Sequence, residues 1–137
     1  MTVVFLAHRN GRGQPELFTY VGMIVVSPVE VALRRAIEER CVVDLVDRDG
    51  RRRTVEPHML FRTKEGAYQI EVYQRSGASR TGGLPAWRHF ALESIQAVTV
   101  SEEVFAPEPS FNPSNDRMFP HIEVRVPTAQ ELTNRNP

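Results

Sequence analysis

The spacing of the hydrophobic residues changes once, near residue 40, from helical spacing to alternation with polar residues. This change restricts the possible folds more strongly than any other feature of the sequence. Ser27, Pro28 and Glu30 fit the N-cap, first and third positions of a helix start. Apolar residues then recur at helical spacing up to Ile37, which predicts a helix over 28–40. Beyond residue 40 the apolar residues alternate with polar ones, which is typical of half-buried strands.

The alternating region predicts several short strands separated by turns. The first strand is CVVDLVD, and the Asp-Gly pair of Arg48-Asp49-Gly50 indicates a hairpin turn after it. The chain returns through RRRTVEP and HMLFRT, with Pro57 marking a bend or a break, and AYQIEVYQ forms the next strand. After a Gly/Ser-rich loop at 76–85, one long or two short strands follow in WRHFALESIQAVTV. A helix followed by four or five close strands favours a mainly β (α+β) fold with a small antiparallel barrel over a βαβ sheet.

Both ends of the chain are less regular than its centre. The segments MTVVFLA and LFTYVGMIVV, which flank a loop at HRNGRGQPE, could be strands or an extension that orders only against a partner. Prolines are dense near the C-terminus, where HIEVRVP could add a last strand and TAQELTNRNP is expected to be a frayed tail. The sequence therefore divides into an extension at 1–26, a domain at 27–106 and a Pro-rich tail at 107–137.

The composition excludes several classes of site. With 137 residues, 41% of them hydrophobic, the chain can bury a core without disulfides. Its single cysteine, Cys41, cannot form an internal disulfide or a multi-thiolate zinc site, and we expect it to be buried. The four histidines are scattered and no catalytic or phosphate-loop motif occurs, so we expect no metal, no cofactor and no enzymatic activity. The lack of a membrane-length apolar run or a signal peptide predicts a cytoplasmic protein that does not enter a membrane.

Basic residues are concentrated in the middle of a chain whose net charge is zero. Residues 48–88 contain nine Arg and Lys against four acidic residues, whereas residues 89–137 contain three against seven. All the basic residues but one are Arg, whose planar guanidinium suits phosphate, carboxylate and base edges. A GC-rich coding sequence explains the number of arginines better than it explains their clustering.

Strand alternation assigns the central side chains to two faces. Ile70 and Val72, with Tyr68, form the predicted core face of their strand, opposite to Gln69, Glu71 and Tyr73. Trp87 falls on the opposite side of its strand from Phe90, and Arg88 shares the side of Phe90. If Phe90 is buried, Arg88 must lie at the mouth of the barrel or pair with a carboxylate, with Glu56 or Glu71 as candidates.

Segments between residues 36 and 105 resemble, in order, the motifs of the WYL domain family. The matching residues are Ala36-Ile37, Gly50, RTVEP at 53–57, GAYQIEVY at 66–73, WRHFALESI at 87–95 and Phe105. The likeness is closest to short stand-alone relatives, which share Glu56-Pro57-His58, Tyr73-Gln74 and Trp87-Arg88. In place of the family's Tyr, Arg and Arg, this chain has Gln69, Ala91 and Ser94.

The resemblance implies a helix leading into a five-stranded, Sm-like or SH3-like antiparallel barrel. It also implies a ligand-sensing module of the kind found in bacterial and phage transcription regulators and defence systems. Such domains are thought to bind nucleic acid or nucleotide-like ligands through an aromatic and basic patch. Carried over to this chain, Arg53 and Arg88 would hold phosphate or carboxylate, and Gln69 would select the ligand.

Arg51 and Arg48 complete the candidate site because both lie near Arg53 in the sequence. Arg51 and Arg53 would point to the same side of their strand, with Arg52 on the other. The partners expected for this site are single-stranded RNA or DNA, or a nucleotide. Alternatively, these arginines are solvated charges that prevent aggregation of an edge strand. In that case the chain would be a protein-interaction or oligomerisation module, docking a protein or a second copy through the barrel edge, 1–26 and 107–137.

Overall fold

The computed structural model describes residues 2–5, 8–9, 15–16 and 23–135. Four short strands lie near the N-terminus: β1 Thr2–Phe5, β2 His8–Arg9, β3 Pro15–Glu16 and β4 Met23–Val26. Helix α1 spans Pro28–Glu39. The remaining elements are β5 Cys41–Asp47, β6 Arg52–Arg62, β7 Tyr68–Gly77, β8 Ala86–Ala91, β9 Ile95–Val104, β10 His121–Arg125 and helix α2 Ala129–Arg135.

The N-terminal strands pair with one another in two antiparallel ladders. β1 pairs with β4 from Thr2–Val26 to Phe5–Met23, which confirms strands in parts of both predicted segments. β2 pairs with β3 inside the segment that was expected to be a loop, so that expectation is wrong for these four residues. Residues 17–22 of the second predicted strand lie outside the described residues.

Helix α1 begins where its sequence predicts. The Ser27 side chain accepts a hydrogen bond from the Glu30 backbone N–H at 3.4 Å, as an N-cap residue does. At the other end Arg40 adopts a left-handed conformation, with φ of 56°, and its N–H bonds to the carbonyls of Ala36 and Ile37. The helix buries one face, formed by Leu33, Ala36 and Ile37, against the sheet.

The main sheet has six strands and is mostly antiparallel. Its strand order is β8-β7-β6-β5-β9, and β10 pairs with β6. Four strands thus follow one another as a meander, and β9 returns to the first of them. Within the described part of the chain β8 and β9 are outer strands that do not pair, so the sheet is open where the expected barrel would close. The architecture of the described residues is α+β, with one six-stranded sheet, two two-stranded ladders and two helices.

Pro57 bends β6 without breaking it. The β5 ladder ends at Val55 and the β10 ladder begins at Met59, so Pro57 lies where β6 changes partners. The register with β7 shifts at the same place, between Pro57 and Met59. A proline is tolerated there because it has no N–H to contribute to a ladder.

The segment WRHFALESIQAVTV forms two strands, not one. A 3-10 turn at Leu92–Ser94 separates β8 from β9 and redirects the chain across the sheet to β5.

The chain after residue 106 packs closely on the domain. Phe111, Phe119 and Val126 are buried in the same core as the sheet residues. The frayed tail expected at 128–137 is a wrong prediction for Ala129–Arg135, which form α2. Thr128 caps this helix by accepting a hydrogen bond from the Glu131 N–H at 3.0 Å, a signal that the sequence contained. Among the described residues, no helix has the length and apolar character needed to cross a membrane.

Candidate ligand-binding face

The pairing of β7 with β8 assigns side chains to two faces of the sheet, because directly opposed residues lie on the same side. On one face, here called the arginine face, the pairs are Ile70–Phe90 and Val72–Arg88. On the other, the aromatic face, they are Gln69–Ala91, Glu71–His89 and Tyr73–Trp87. The predicted separation of Trp87 from Phe90 is confirmed, since the two rings lie on opposite faces.

Arg53, of the candidate site, is largely enclosed. Its side chain is 13% exposed. One terminal nitrogen donates to Asp47 Oδ2 at 2.9 Å and Nε donates to the Ala78 carbonyl at 3.1 Å. The guanidinium carbon lies 4.8 Å from the centre of the Phe90 ring, within range of a cation–π contact. These contacts fix the guanidinium on the arginine face beside β8.

Arg88 lies on the same face and points into the 76–85 loop. Its terminal nitrogens donate to the Trp87 carbonyl at 2.9 Å, to Ser79 Oγ at 3.3 Å and to the Gly82 carbonyl at 3.4 Å. The expected pairing of Arg88 with Glu56 or Glu71 is wrong. Both carboxylates belong to the aromatic face, where they contact Arg75 at 2.6 Å and His89 at 3.3 Å respectively.

Asp47 contacts another predicted site residue, Arg51, in addition to Arg53. Arg51 lies 3.6 Å from Asp47 Oδ2 and donates to Asp49 at 2.8 Å. The backbone N–H of Arg51, together with the Arg53 guanidinium, lowers the pKa of the Asp47 carboxyl. Asp47 is therefore charged at neutral pH and contacts both Arg53, on β6, and Arg51, which immediately precedes β6.

Arg48 reaches the other side of the hairpin. Its Nε donates to the Glu93 carbonyl, and its side chain lines two adjacent cavities. The smaller, of about 210 Å³, is also lined by Arg53 and Phe90, by the carboxylates Asp47 and Asp49, and by Leu45, Ser94 and Ile95. The larger, of about 600 Å³, lies between the start of α1 and Tyr68. Arg48 and Ile95 line both cavities, so the two lie next to each other.

Gln69 lies apart from the predicted arginines. It pairs with Ala91 and so belongs to the aromatic face, whereas Arg53 and Arg88 occupy the arginine face. Alternation within β7 predicts on which face of the sheet Gln69 lies. Whether Arg53, on β6, lies on the same face depends on how β6 is aligned with β7. That register shifts twice, between Thr54 and Val55 and between Pro57 and Met59.

One residue of the arginine face was missed by sequence reasoning. Gln74 is fully buried, and its amide nitrogen donates to the carbonyls of Ser76 and Ala78 at 3.1 and 2.9 Å. Its Oε1 has no hydrogen-bond partner among the residues that the structure describes. The only signal in the sequence was a polar residue at a position where alternation with Ile70 and Val72 predicts an apolar one.

The aromatic face is enclosed by the C-terminal part of the chain. His58 lies at its centre, with ring centroids 4.8 Å from Trp87, 5.1 Å from Phe105 and 5.2 Å from Phe111. Its Nε2 accepts from the Glu108 N–H at 3.0 Å, so Nδ1 carries the proton and donates to the Glu56 carbonyl at 2.8 Å. Burial lowers the pKa of His58 to about 4, against the opposing effect of that carbonyl.

The described residues include no cluster of three or more His, Cys, Asp or Glu side chains placed to hold a metal ion. Cys41 is buried. A scan against models of protein families finds none that matches this chain, and a search of curated proteins finds no similar one. The assignment of the candidate site therefore rests on the geometry of its residues and on the motif resemblance described above.

Proposed function

We propose that this protein is a non-enzymatic, WYL-like binding module that takes single-stranded nucleic acid or a nucleotide-like ligand on its arginine face. The strand order supports an Sm-like or SH3-like arrangement, because four consecutive strands, β5 to β8, form a meander and the fifth, β9, returns beside the first. The leading helix and the 3-10 turn before the returning strand agree with the same arrangement.

The observation that carries the proposal is the convergence of Arg53 and Arg88 on one loop beside an aromatic ring and a cavity. Arg53 is held in place by Asp47, Ala78 and Phe90, so little side-chain entropy remains to be lost on binding an anion. A guanidinium of fixed orientation suits bidentate contact with phosphate. The apolar side chains of the adjacent cavity suit a sugar or a base.

The proposed roles follow from these positions. Arg53 and Arg88 hold phosphate, and Arg48 extends the contact towards the larger cavity. Arg51 acts indirectly, because it contacts Asp47 and Asp49 rather than the cavity. Gln69 is left out of the site, since its side chain belongs to the aromatic face.

Fluorescence anisotropy with labelled single-stranded RNA and DNA, repeated over a salt series, tests the proposal. We expect binding that weakens with salt, with a slope of about 0.7 per phosphate contact. Arg53→Ala and Arg88→Ala should each weaken binding at least about fivefold while the fold survives. The matched control is Arg35→Ala, because the Arg35 side chain is 71% exposed on the outer side of α1 and, within the described part of the chain, pairs only with Glu39. Unchanged affinity in both site variants, or no binding at low salt, would contradict the proposal.

A protein-interaction module is the second candidate, favoured by an exposed apolar side chain on an outer strand. Val104, at the end of β9, is 67% exposed. An outer strand with such a residue can pair with a second copy of the chain. Light scattering of the full chain and of Val104→Lys tests this function: it predicts a dimer that the substitution dissociates, and a monomeric full chain would contradict self-association.

A further inference from the structure

The start of the 76–85 loop is fixed on β6 by the backbone of Gly77. This residue pairs with Arg53 and has φ of +103°, in the region that favours glycine. A Cβ at this position would lie 2.3 Å from the Arg52 carbonyl oxygen. The next residue, Ala78, donates its N–H to that same carbonyl at 2.9 Å. The loop therefore leaves the sheet in one defined direction, over the arginine face.

Beyond Gly77 the loop is held by donors from the sheet. The Ala78 carbonyl accepts from both Gln74 and Arg53, at 2.9 and 3.1 Å. Further along, Arg88 is hydrogen bonded to three loop residues, Ser79, Thr81 and Gly82, at 3.3 to 3.4 Å. These last contacts are long and lie at the surface, so each contributes little.

The same two guanidinium groups therefore face two possible partners. Within the loop they bind neutral carbonyls and hydroxyls, and Arg53 also donates to the Asp47 carboxylate at 2.9 Å, whereas the proposed function has them bind phosphate. A phosphate offers a guanidinium Coulomb attraction and bidentate geometry, neither of which a neutral carbonyl or hydroxyl supplies. An anionic ligand that reaches Arg53 and Arg88 has to compete with the loop, and its charge favours it.

We propose that the 76–85 loop is a latch, which Arg53 and Arg88 hold closed over the arginine face and which an anionic, phosphate-bearing ligand opens by taking these two side chains. This inference rests on the proposed function. Beyond that function, ligand binding would expose the 76–85 loop. A partner molecule could then distinguish the ligand-bound protein from the free protein.

Gln74 allows the latch to be tested apart from the ligand contacts. It holds the loop through Ser76 and Ala78, and we assign it no contact with the ligand. The Gln74→Leu substitution removes these two bonds and also removes the unpartnered buried Oε1, so the core should tolerate it. This variant should loosen the loop while both arginines remain.

Limited trypsin digestion of the full chain reads the state of the latch directly. Arg80 lies exposed in the loop and supplies a cleavage site, and the exposed Arg117, in a turn far from the loop in sequence, supplies an internal reference. Inorganic pyrophosphate and the labelled RNA are the probes. We expect each probe to raise cleavage after Arg80 about fivefold relative to cleavage after Arg117, because cleavage reports the open population. Gln74→Leu should raise it without any probe and should tighten pyrophosphate binding.

The outcomes separate the latch from the proposed function. If the probes bind but cleavage after Arg80 is unchanged or slower, the latch is wrong and the binding function stands. If Gln74→Leu and Arg88→Ala both leave the probe-free cleavage rate unchanged, these side chains do not hold the loop and the latch is again wrong. If neither probe binds, the proposed function fails, and opening by a ligand fails with it.

Discussion

The two faces of the sheet are both covered, but by different kinds of contact. The aromatic face is covered by the C-terminal part of the chain through buried rings around His58 and Phe61. The arginine face is covered at its rim by the 76–85 loop through hydrogen bonds from Gln74, Arg53 and Arg88. One covering is formed mostly by buried apolar side chains, whereas the other is formed by polar contacts that are partly buried and partly exposed.

The difference determines what each covering can do. Apolar contacts have no alternative partner in water, so a segment held by buried rings stays in place until the domain unfolds. An arginine side chain that donates a hydrogen bond can exchange its acceptor for water or an anion, and this exchange does not require the domain to unfold. The C-terminal part of the chain is therefore a structural covering, and the loop is the covering that a ligand can displace.

The largest expected effect comes from removing a ring of the aromatic face. Phe111 is 5% exposed and contacts both His58 and Trp87. Phe111→Ala should lower the free energy of unfolding by about 4 kcal/mol, through lost burial and the cavity left behind. Urea denaturation measures this change. Met118→Ala, at an exposed residue, is the control and should change it by less than about 0.5 kcal/mol. If Phe111→Ala lowered the free energy of unfolding by less than about 0.5 kcal/mol, the C-terminal covering would not be needed for stability.

A second effect on the aromatic face depends on pH. His58 is neutral when folded, with a pKa lowered to about 4 from an ordinary value of 6.5. The unfolded chain therefore binds more protons between pH 6.5 and 4, and the free energy of unfolding falls by up to about 3 kcal/mol as the pH drops through this window. Urea denaturation at several pH values should show this slope in the natural protein and a shallower one in His58→Phe. Equal slopes would mean that His58 is not buried as described.

The smallest effect on stability is expected where the loop leaves β6. Gly77→Ala places a Cβ against the Arg52 carbonyl at a positive φ and should cost about 2 kcal/mol, with faster trypsin cleavage after Arg80. Gly82 is the matched control in the same loop. Its φ is +65° but no atom lies within 4 Å of the added Cβ, so Gly82→Ala should cost about 1 kcal/mol. Equal losses at the two glycines would contradict the fixed exit of the loop.

Local signals in the sequence predicted the elements whose structure is set locally. The Ser27-Pro28 start fixed the beginning of α1, and the Asp49-Gly50 pair marked the turn after β5. Strand alternation assigned Gln69 and Arg88 to their faces correctly within their own strands.

The features that depend on distant contacts were not predictable from one sequence. Phe111 and Phe119 lie in a proline-rich segment without periodicity, so nothing local indicates that they are buried. The separation of Gln69 from Arg53 results from register shifts in β6, which only the paired strands reveal. The partners of Arg88 are loop carbonyls and hydroxyls, and no residue pattern predicts these.

Hydrogen exchange at two backbone amides tests the contrast between the coverings most directly. The N–H of Val126 and the N–H of Ala78 each bond to a carbonyl of β6 at 2.9 Å, to His58 and to Arg52 respectively. We predict that Val126 exchanges only through unfolding of the domain and is unaffected by pyrophosphate. Ala78 should exchange faster than Val126, and faster again when pyrophosphate is added. If the two amides exchange at the same rate, or if pyrophosphate slows exchange at Ala78, the loop is not the displaceable covering and the account is wrong.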